Sequence, residues 1–326
     1  MQVLVTGCAG RIGAQTARML LERGDAVVGF DLRPSQITHV NYSEVVGTFD
    51  DPAAAARAVE GAQSVLHLGA FMSWRADDRE MLFAANVDGT RRILEAAAGS
   101  GVRRFVFASS GEVYPENRPE RLPITEEHPL APTTPYGVTK LIGEVLVRFH
   151  ARVCDLETVI LRFSHTQNAG ELLDPDSFFS GPRFFLHPKI RQQEGIGNAA
   201  AAELLRAADP GREALVLSRN QAGRPYRMHI TETRDIVAGI LLALDHPCAA
   251  GGTFNLGATE PVDFADLVPA MAEATGLPVA VVDLPGAGVW YQTSNARIRE
   301  TLGFTPEWPI SRMLTEAVGT WTTRHR

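Results

Sequence analysis

Short runs of β-forming residues alternate with stretches of helical period through the first half of the chain. Gln2 to Thr6 is the first such run, and Gly7 closes it. Arg11 to Arg23 sets Ile12, Ala17, Leu20 and Leu21 at helical spacing, and Gly24 stops it. Ala26 to Phe30 and Ser43 to Gly47 read as the next strands. Asp51-Pro52 opens an Ala-rich helix to Glu60, a cap residue followed by Pro at the first helical position, and Gly61 ends it. Strands are predicted at Ser64 to Leu68, Arg104 to Ala108 and Glu157 to Phe163, with helices around Asp78 to Ala98 and over Tyr136 to Arg152. Continuous apolar strands between amphipathic helices predict a parallel sheet covered on both faces.

The second half is less regular. Gly170 to Gly197 mixes Pro, Gly and aromatics without a period and reads as a long loop over a site. Helices are expected at 198–208, 232–245, 263–275 and 310–322, with short strands near 214–218, 227–230 and 253–256. The expected organisation is a doubly wound domain over 1–165 and a smaller α/β domain over 166–326. Segments near 214–256 are free to rejoin the first sheet.

Composition narrows the function classes. The chain has 326 residues and is 45% hydrophobic, an ordinary share for a folded protein of about two domains. Acidic residues outnumber basic ones, 38 to 31, which argues against a partner bound through a basic surface such as a nucleic acid. No apolar run approaches the roughly 20 residues of a membrane span. Met1 to Val5 lacks a basic n-region and a long h-region, so no signal peptide is expected. Three separated cysteines (Cys8, Cys154, Cys248) suggest neither a disulfide framework nor a metal site, and a reducing, cytoplasmic setting fits them. The histidines His67, His165, His187 and His229 have no metal-ligand spacing.

The turn Thr6-Gly7-Cys8-Ala9-Gly10-Arg11-Ile12-Gly13 sits between the first strand and the first helix. Glycines there allow a tight turn and close backbone approach, and the helix N-terminus offers free N–H groups to a pyrophosphate. Asp31 follows the second strand, where a carboxylate accepts both hydroxyls of an adenosine ribose and repels a 2′-phosphate. NAD is therefore expected over NADP. Arg33, two residues on, is the counter-argument, since a guanidinium can reach a phosphate.

Tyr136 and Lys140 fall at i and i+4 on one helix, so the phenol and the ammonium share a face. A nearby cation stabilises phenolate, which would make Tyr136 a general acid/base with a lowered pKa. Ser109-Ser110 ends a predicted strand at the sheet edge where open α/β folds bind ligands. The Ser110 hydroxyl is placed to share a substrate oxygen with Tyr136.

With these residues in hand the sequence resembles the extended short-chain dehydrogenases/reductases, the NAD-dependent sugar epimerase and dehydratase type. The resemblance rests on Thr6 to Gly13, Asp31, His67-Leu68-Gly69-Ala70, Asn86-Val87-Asp88-Gly89-Thr90, Ser109 to Tyr114, Tyr136 with Lys140, and Leu161-Arg162-Phe163. Asp235-Ile236 and Phe254-Asn255-Leu256-Gly257 look like the family's C-terminal half. It implies a Rossmann-type α/β fold and a cofactor site of Gly7, Gly10, Arg11, Ile12, Gly13, Asp31, Leu68, Gly69, Ala70, Asn86, Ser109, Tyr136 and Lys140. Tyr136 would take a hydroxyl proton while hydride leaves the same carbon, and Lys140 would hold the nicotinamide ribose and tune Tyr136. Asn86 would support the active-site network, and Leu68 to Ala70 would line the nicotinamide side. Glu112 stands where dehydratases of the family carry a Glu and a 3,5-epimerase type a Cys. A carboxylate there either removes a proton alpha to a transient ketone or only binds substrate. Gly111 replaces the Asp of the dehydratase pair. A homodimer is also implied, commonly through paired helices, here those at 78–98 and 136–152.

Three departures separate the chain from the nucleotide-sugar pattern. Phe163-Ser164-His165 stands where an aromatic-Phe-Asn run is common, Met228-His229 replaces Arg-Asp beside Arg227, and Leu284-Pro285-Gly286 replaces Arg-Pro-Gly. A buried diphosphate needs paired cations, so a smaller substrate is expected. Arg183, His187, Lys189 and Arg191 supply cations in the irregular segment, Arg183 foremost, as an Arg in a similar region does in uronate dehydrogenases. The expected substrate site is Ser110, Glu112, His165 and Arg183, taking a sugar or sugar acid that is neutral or anionic. The chemistry is redox-neutral epimerisation or dehydration, or net dehydrogenation of an unactivated sugar acid. A non-catalytic dinucleotide sensor is the remaining class, against which the intact Tyr136, Lys140 and Ser110 speak.

Overall fold

The structure is a computed structural model describing residues 1–116 and 118–324. Its first half runs β1 (Gln2–Thr6), α1 (Arg11–Glu22), β2 (Ala26–Asp31), β3 (Tyr42–Val46), α2 (Pro52–Val59) and β4 (Ser64–His67). Then come α3 (Arg79–Phe83), α4 (Gly89–Gly99), β5 (Arg104–Ser110), α5 (Pro135–Val153) and β6 (Glu157–Phe163). The second half continues with β7 (His165–Gln167), α6 (Ser180–Phe184), α7 (Leu186–Gly195), α8 (Ala199–Ala207), β8 (Leu215–Arg219), β9 (Arg227–Met228) and β10 (Ile230–Glu232). It ends with α9 (Thr233–Asp245), β11 (Thr253–Leu256), β12 (Val262–Asp263), α10 (Phe264–Thr275), β13 (Val279–Asp283), α11 (Ala296–Leu302) and α12 (Ile310–Arg324).

Seven strands form one parallel sheet in the order β11-β6-β5-β4-β1-β2-β3. The chain reverses direction across the sheet at β1, with β2 on one side and β4 on the other, and a crevice opens above that point. Period-two packing covers both faces. Val3 and Val5 join Leu20, Leu21, Ile236 and Ile240 under α1 and α9. Leu4 turns the other way, to Ala54, Ala58, Ile93 and Phe105 under α2 and α4. Each of the larger side chains contributes about 1.5–3 kcal/mol by leaving water. Downstream elements gather a separate core around Phe184, Phe185, Phe264, Tyr291 and Met313.

One expectation is corrected. Gly170 to Gly197 is not one loop: α6 and α7 occupy much of it. Pro182 and Pro188 fall in the first turns of those helices, where a missing N–H costs nothing. Phe184, Phe185 and Leu186 are all buried in succession, which erases the amphipathic period. The helical stretch expected around 78–98 is present and runs unbroken through α3 and α4, with a π-helical turn over Ala84–Asp88 inside it. Gly89 follows that turn, where a Cβ would stand 2.6 Å from the Phe49 Cβ. Of the stretch 214–256, only β11 pairs with the main sheet, while β8 pairs with β13.

Candidate active site

A cleft of about 670 Å³ follows the C-terminal edge of the sheet from β2 across β1, β4 and β5 to β6. The glycine turn forms one wall. Gly7 has φ +73°, and a Cβ on it would lie 2.7 Å from the Gly69 Cα. A Cβ on Gly13 would lie 2.1 Å from the Gly7 carbonyl oxygen. The β1 and β4 turns therefore close on each other with no room for side chains. Helix α1 starts at Gly10 with no side-chain cap and no acid in its first turn. Its first amides are thus available to an anion. Asp31 ends β2 at the cleft, accepting from the Ala9 N–H at 3.0 Å and the Arg33 N–H at 3.2 Å. These features fit a dinucleotide: an anion-binding helix end, a cradle without side chains, and a carboxylate at the end of β2 on the same cleft.

Ile12, Leu68, Gly69 and Ala70 line the same cleft, as do Gly7, Gly10 and Gly13. Arg11 lines it too, but its guanidinium grips Glu171 with two hydrogen bonds, 3.0 and 2.8 Å, and so ties the glycine turn to the downstream half. Asn86 stands behind the wall rather than in it. Its amide accepts from the Phe71 N–H and donates to the Phe71 carbonyl, each at 2.8 Å, and donates to Thr139 at 3.0 Å. The π-helical turn is what carries that amide, and such turns recur at functional sites.

Thr134 caps α5 by accepting from the Gly137 N–H, and Pro135 starts the helix. That start delivers Tyr136 and, one turn on, Lys140 to the cleft beside Ser109, Ser110 and Glu112. The Lys140 ammonium donates to the Ala108 carbonyl at 2.7 Å and lies 5.7 Å from the centre of the Tyr136 ring. Burial pushes this lysine down to about 7. The Tyr136 phenol is pushed well above its ordinary range, first by burial and then by the Glu112 carboxylate. Burial and Glu112 thus oppose the lowering expected from the Tyr–Lys spacing. Ser110 accepts from the Glu112 N–H at 3.1 Å. The Ser109 hydroxyl is turned away to Glu144, at 2.7 Å.

Glu112 accepts from the Thr134 hydroxyl at 2.5 Å, and the Trp74 side chain bonds it as well; burial outweighs both and raises its pKa. His165 lines the cleft, with its Nε2 buried and unpartnered. Arg183 does not reach the wall. It donates to Gln167 at 2.9 Å and lies near the Phe179 and Phe184 rings. His187 faces Asp209 and Glu213, and Lys189 donates to the Pro182 carbonyl. The sequence reasoning did not single out Trp74, Glu116, Phe179 or Tyr291. Glu116 follows Tyr114-Pro115 in the strand-end motif already noticed, and that was the available signal.

Behind Lys140, on the same face of α5, Glu144 is buried and paired with Arg162 through bonds of 2.8 Å to each oxygen. Arg162 also donates to the Tyr114 hydroxyl, which donates to Asn255 on β11. The pair draws α5, β6 and β11 together beneath the cleft.

Comparison with known proteins agrees with this geometry. The NAD-dependent epimerase/dehydratase family matches residues 3–257. A UDP-glucose 4-epimerase of Erwinia amylovora is 30% identical over 98% of this chain and 97% of its own. A solved short-chain dehydrogenase/reductase superfamily protein from Agrobacterium tumefaciens, with bound NAD, is 63% identical, with a TM-score of 0.97, over 100% of this chain and 98% of that one. The solved MoeE5, in complex with UDP-glucose and NAD, is 25% identical, with a TM-score of 0.74, over 100% and 99%. A match over most of the chain, on top of the glycine turn, Asp31 and the Tyr136–Lys140 helix, places the chain in the NAD-dependent epimerase/dehydratase family.

Proposed function

We propose that the protein is an NAD-dependent oxidoreductase acting at a carbon that bears a secondary hydroxyl of a sugar or sugar acid, with Tyr136 as the acid/base. One observation carries this reading: Tyr136, Ser110 and Lys140 converge on the wall of a cleft whose other end is the glycine turn and Asp31. NAD, when bound, supplies the hydride acceptor. Gly7 to Gly13 and the first amides of α1 hold its pyrophosphate, Asp31 its adenosine ribose, and Lys140 its nicotinamide ribose.

Ser110 and Tyr136 grip the substrate hydroxyl from two sides, and Tyr136 exchanges its proton. Burial and Glu112 keep the phenol protonated at rest, so it starts as a donor. Oxidation of an alcohol, which needs the phenolate, therefore speeds up as pH rises. Glu112, beside Tyr136, is placed to take a proton next to a transient ketone, the step that epimerisation or elimination requires and simple dehydrogenation does not. The epimerase relative favours a redox-neutral outcome. A net dehydrogenase of an unactivated sugar acid is the second reading, favoured by the three departures from the nucleotide-sugar pattern at Phe163-Ser164-His165, Met228-His229 and Leu284-Pro285-Gly286.

The test is absorbance at the NADH band with a panel of aldoses, uronates and nucleotide sugars. Net NADH formation selects the dehydrogenase. Product isomerisation or dehydration without net NADH, with solvent deuterium entering beside the oxidised carbon, selects the redox-neutral route. No turnover of any kind rejects the enzyme reading in favour of a sensor. A homodimer belongs to the same reading: Val145, Phe149 and Val153 are exposed along α5, a stripe that a second copy would cover, and light scattering checks it. The thiols of Cys8, Cys154 and Cys248 are free, as suits a reducing compartment.

A further inference from the structure

Past Tyr136 the cleft ends in a small polar compartment that the family motifs do not explain. Glu112 and Glu116 leave the turn after β5 and both line it. His165, at the start of β7, stands opposite, with its buried Nε2 3.8 Å from Glu116 Oε1 and without a hydrogen-bond partner. Tyr291 is 1% exposed and brings its hydroxyl to the same corner. A Cβ on Gly111 would stand 2.1 Å from that hydroxyl and 3.4 Å from Glu116 Oε1. Thr293 also lies near the Tyr291 hydroxyl, which makes no well-formed hydrogen bond among the described residues. Buried polar groups of this kind burden the fold unless a ligand meets them.

The cations are elsewhere. Among the described residues lining the cleft, the basic side chains besides His165 are Arg11, Arg33 and Lys140. Arg11 is held by Glu171, Arg33 stands at the β2 end, and Lys140 is bonded to Ala108. Arg183 is engaged with Gln167 and faces Glu116 from behind. A carboxylate or phosphate entering beside Glu112 and Glu116 would give up its water for two carboxyl groups, with no unengaged cation among the described lining residues. The hydroxyls of an uncharged sugar would instead meet two carboxyl groups, an imidazole and the hydroxyls of Ser110 and Tyr291.

We propose that Glu116 is a specificity-determining residue that binds a substrate hydroxyl, and that this compartment selects uncharged, unphosphorylated monosaccharides or their lactones over sugar acids and nucleotide sugars. The inference rests on the reading of Tyr136 as the acid/base for a sugar hydroxyl. The groups facing Glu116 are Glu112 from its own turn, Arg183 from α6, His165 from β7 and Tyr291 from the segment after β13. Burial, then Glu112, push the Glu116 carboxyl up to about 8 against the pull of Arg183. At neutral pH it therefore keeps its proton and can both donate to and accept from a hydroxyl.

The test is calorimetric titration of the NAD-loaded protein with common aldohexoses, aldopentoses and their lactones, and with the matching uronates and UDP-sugars. At least one uncharged sugar binds, and its uronate binds at least ~10-fold more weakly. Glu116→Gln keeps that affinity within about 3-fold and removes its fall above pH 8, whereas Glu116→Ala lowers it at least ~10-fold with NAD affinity unchanged. The proposal is overturned if no uncharged sugar binds, if a uronate or UDP-sugar binds tightest, or if Glu116→Ala binds like the wild type. Sugar binding that depends on Glu116 without hydride transfer would sink the oxidoreductase reading alone. Hydride transfer confined to uronates or UDP-sugars would sink this proposal alone.

Discussion

At the β1–β2 end of the cleft the groups offered to a ligand are mostly main chain: a turn emptied of side chains and the uncapped start of α1. At the Glu112–Glu116 end they are side chains, drawn from residues as far apart as Trp74, His165 and Tyr291. The first end is built from neighbours in sequence and offers a charge and a shape shared by every dinucleotide. The second is assembled by tertiary packing, from side chains whose chemistry differs one from another. A cofactor that never changes can be held by backbone, whereas a substrate that distinguishes one enzyme from another has to be read by side chains.

Replacing Tyr136 should separate the two ends most sharply. Tyr136→Phe is expected to cut turnover by roughly 10²–10⁴-fold while NAD affinity stays close to wild type, as stopped-flow and calorimetry would report. A parallel loss of both would mean that the ends are not independent. Glu144→Ala attacks what lies beneath both: Arg162 is left buried without its partner, and a loss of about 3–5 kcal/mol is expected in denaturant unfolding. Gly13→Ala should act on the backbone end alone. Its Cβ meets the Gly7 carbonyl, so an overpacking cost of about 1–3 kcal/mol should appear, together with weakened NAD binding.

The smallest effect concerns pH. The Glu116 carboxyl ordinarily titrates at 4.5 but holds its proton to about 8 in the fold, so between those values the native state binds the extra proton. The stability this group lends is full below 4.5 and is lost as pH rises through 8. Glu116→Gln should therefore gain on the wild type in unfolding midpoint at pH 9 relative to pH 5. A difference that stays flat with pH would place Glu116 in water.

The same division governs what could be read from the sequence. The first strand, its glycine turn, Asp31 and the Tyr136–Lys140 helix are each signalled within a few residues, because turns, caps and helix faces are local. Six of the seven strands followed from the alternation of apolar runs and helices, while the seventh, β11, was left only as free to rejoin them. Glu116 escaped because nothing near it in sequence reveals that His165 and Tyr291 close over it. Arg183 was singled out for its charge, yet Gln167 and two phenylalanines hold it behind the wall. The phenol pKa was misjudged for a related reason: helix spacing announces the lysine four residues on, but only the tertiary structure reveals the burial that opposes it. The helices in 170–197 were hidden by prolines whose positions in the first turn make them harmless.

The return of β11 to the sheet edge has a consequence for how the chain comes into being. Arg104, at the head of β5, is buried and donates to the Leu244 carbonyl, 140 residues downstream, as well as to those of Ala243 and His246. A ribosome adding about 5–20 residues per second needs on the order of ten seconds to supply those carbonyls. During that interval the edge of β6 that β11 will cover is unpaired, and the guanidinium of Arg104 lacks its acceptors. The cofactor-binding half, although first to emerge, is therefore completed only by a strand made in the last third of synthesis, and the nascent chain needs shelter for its open edge until then.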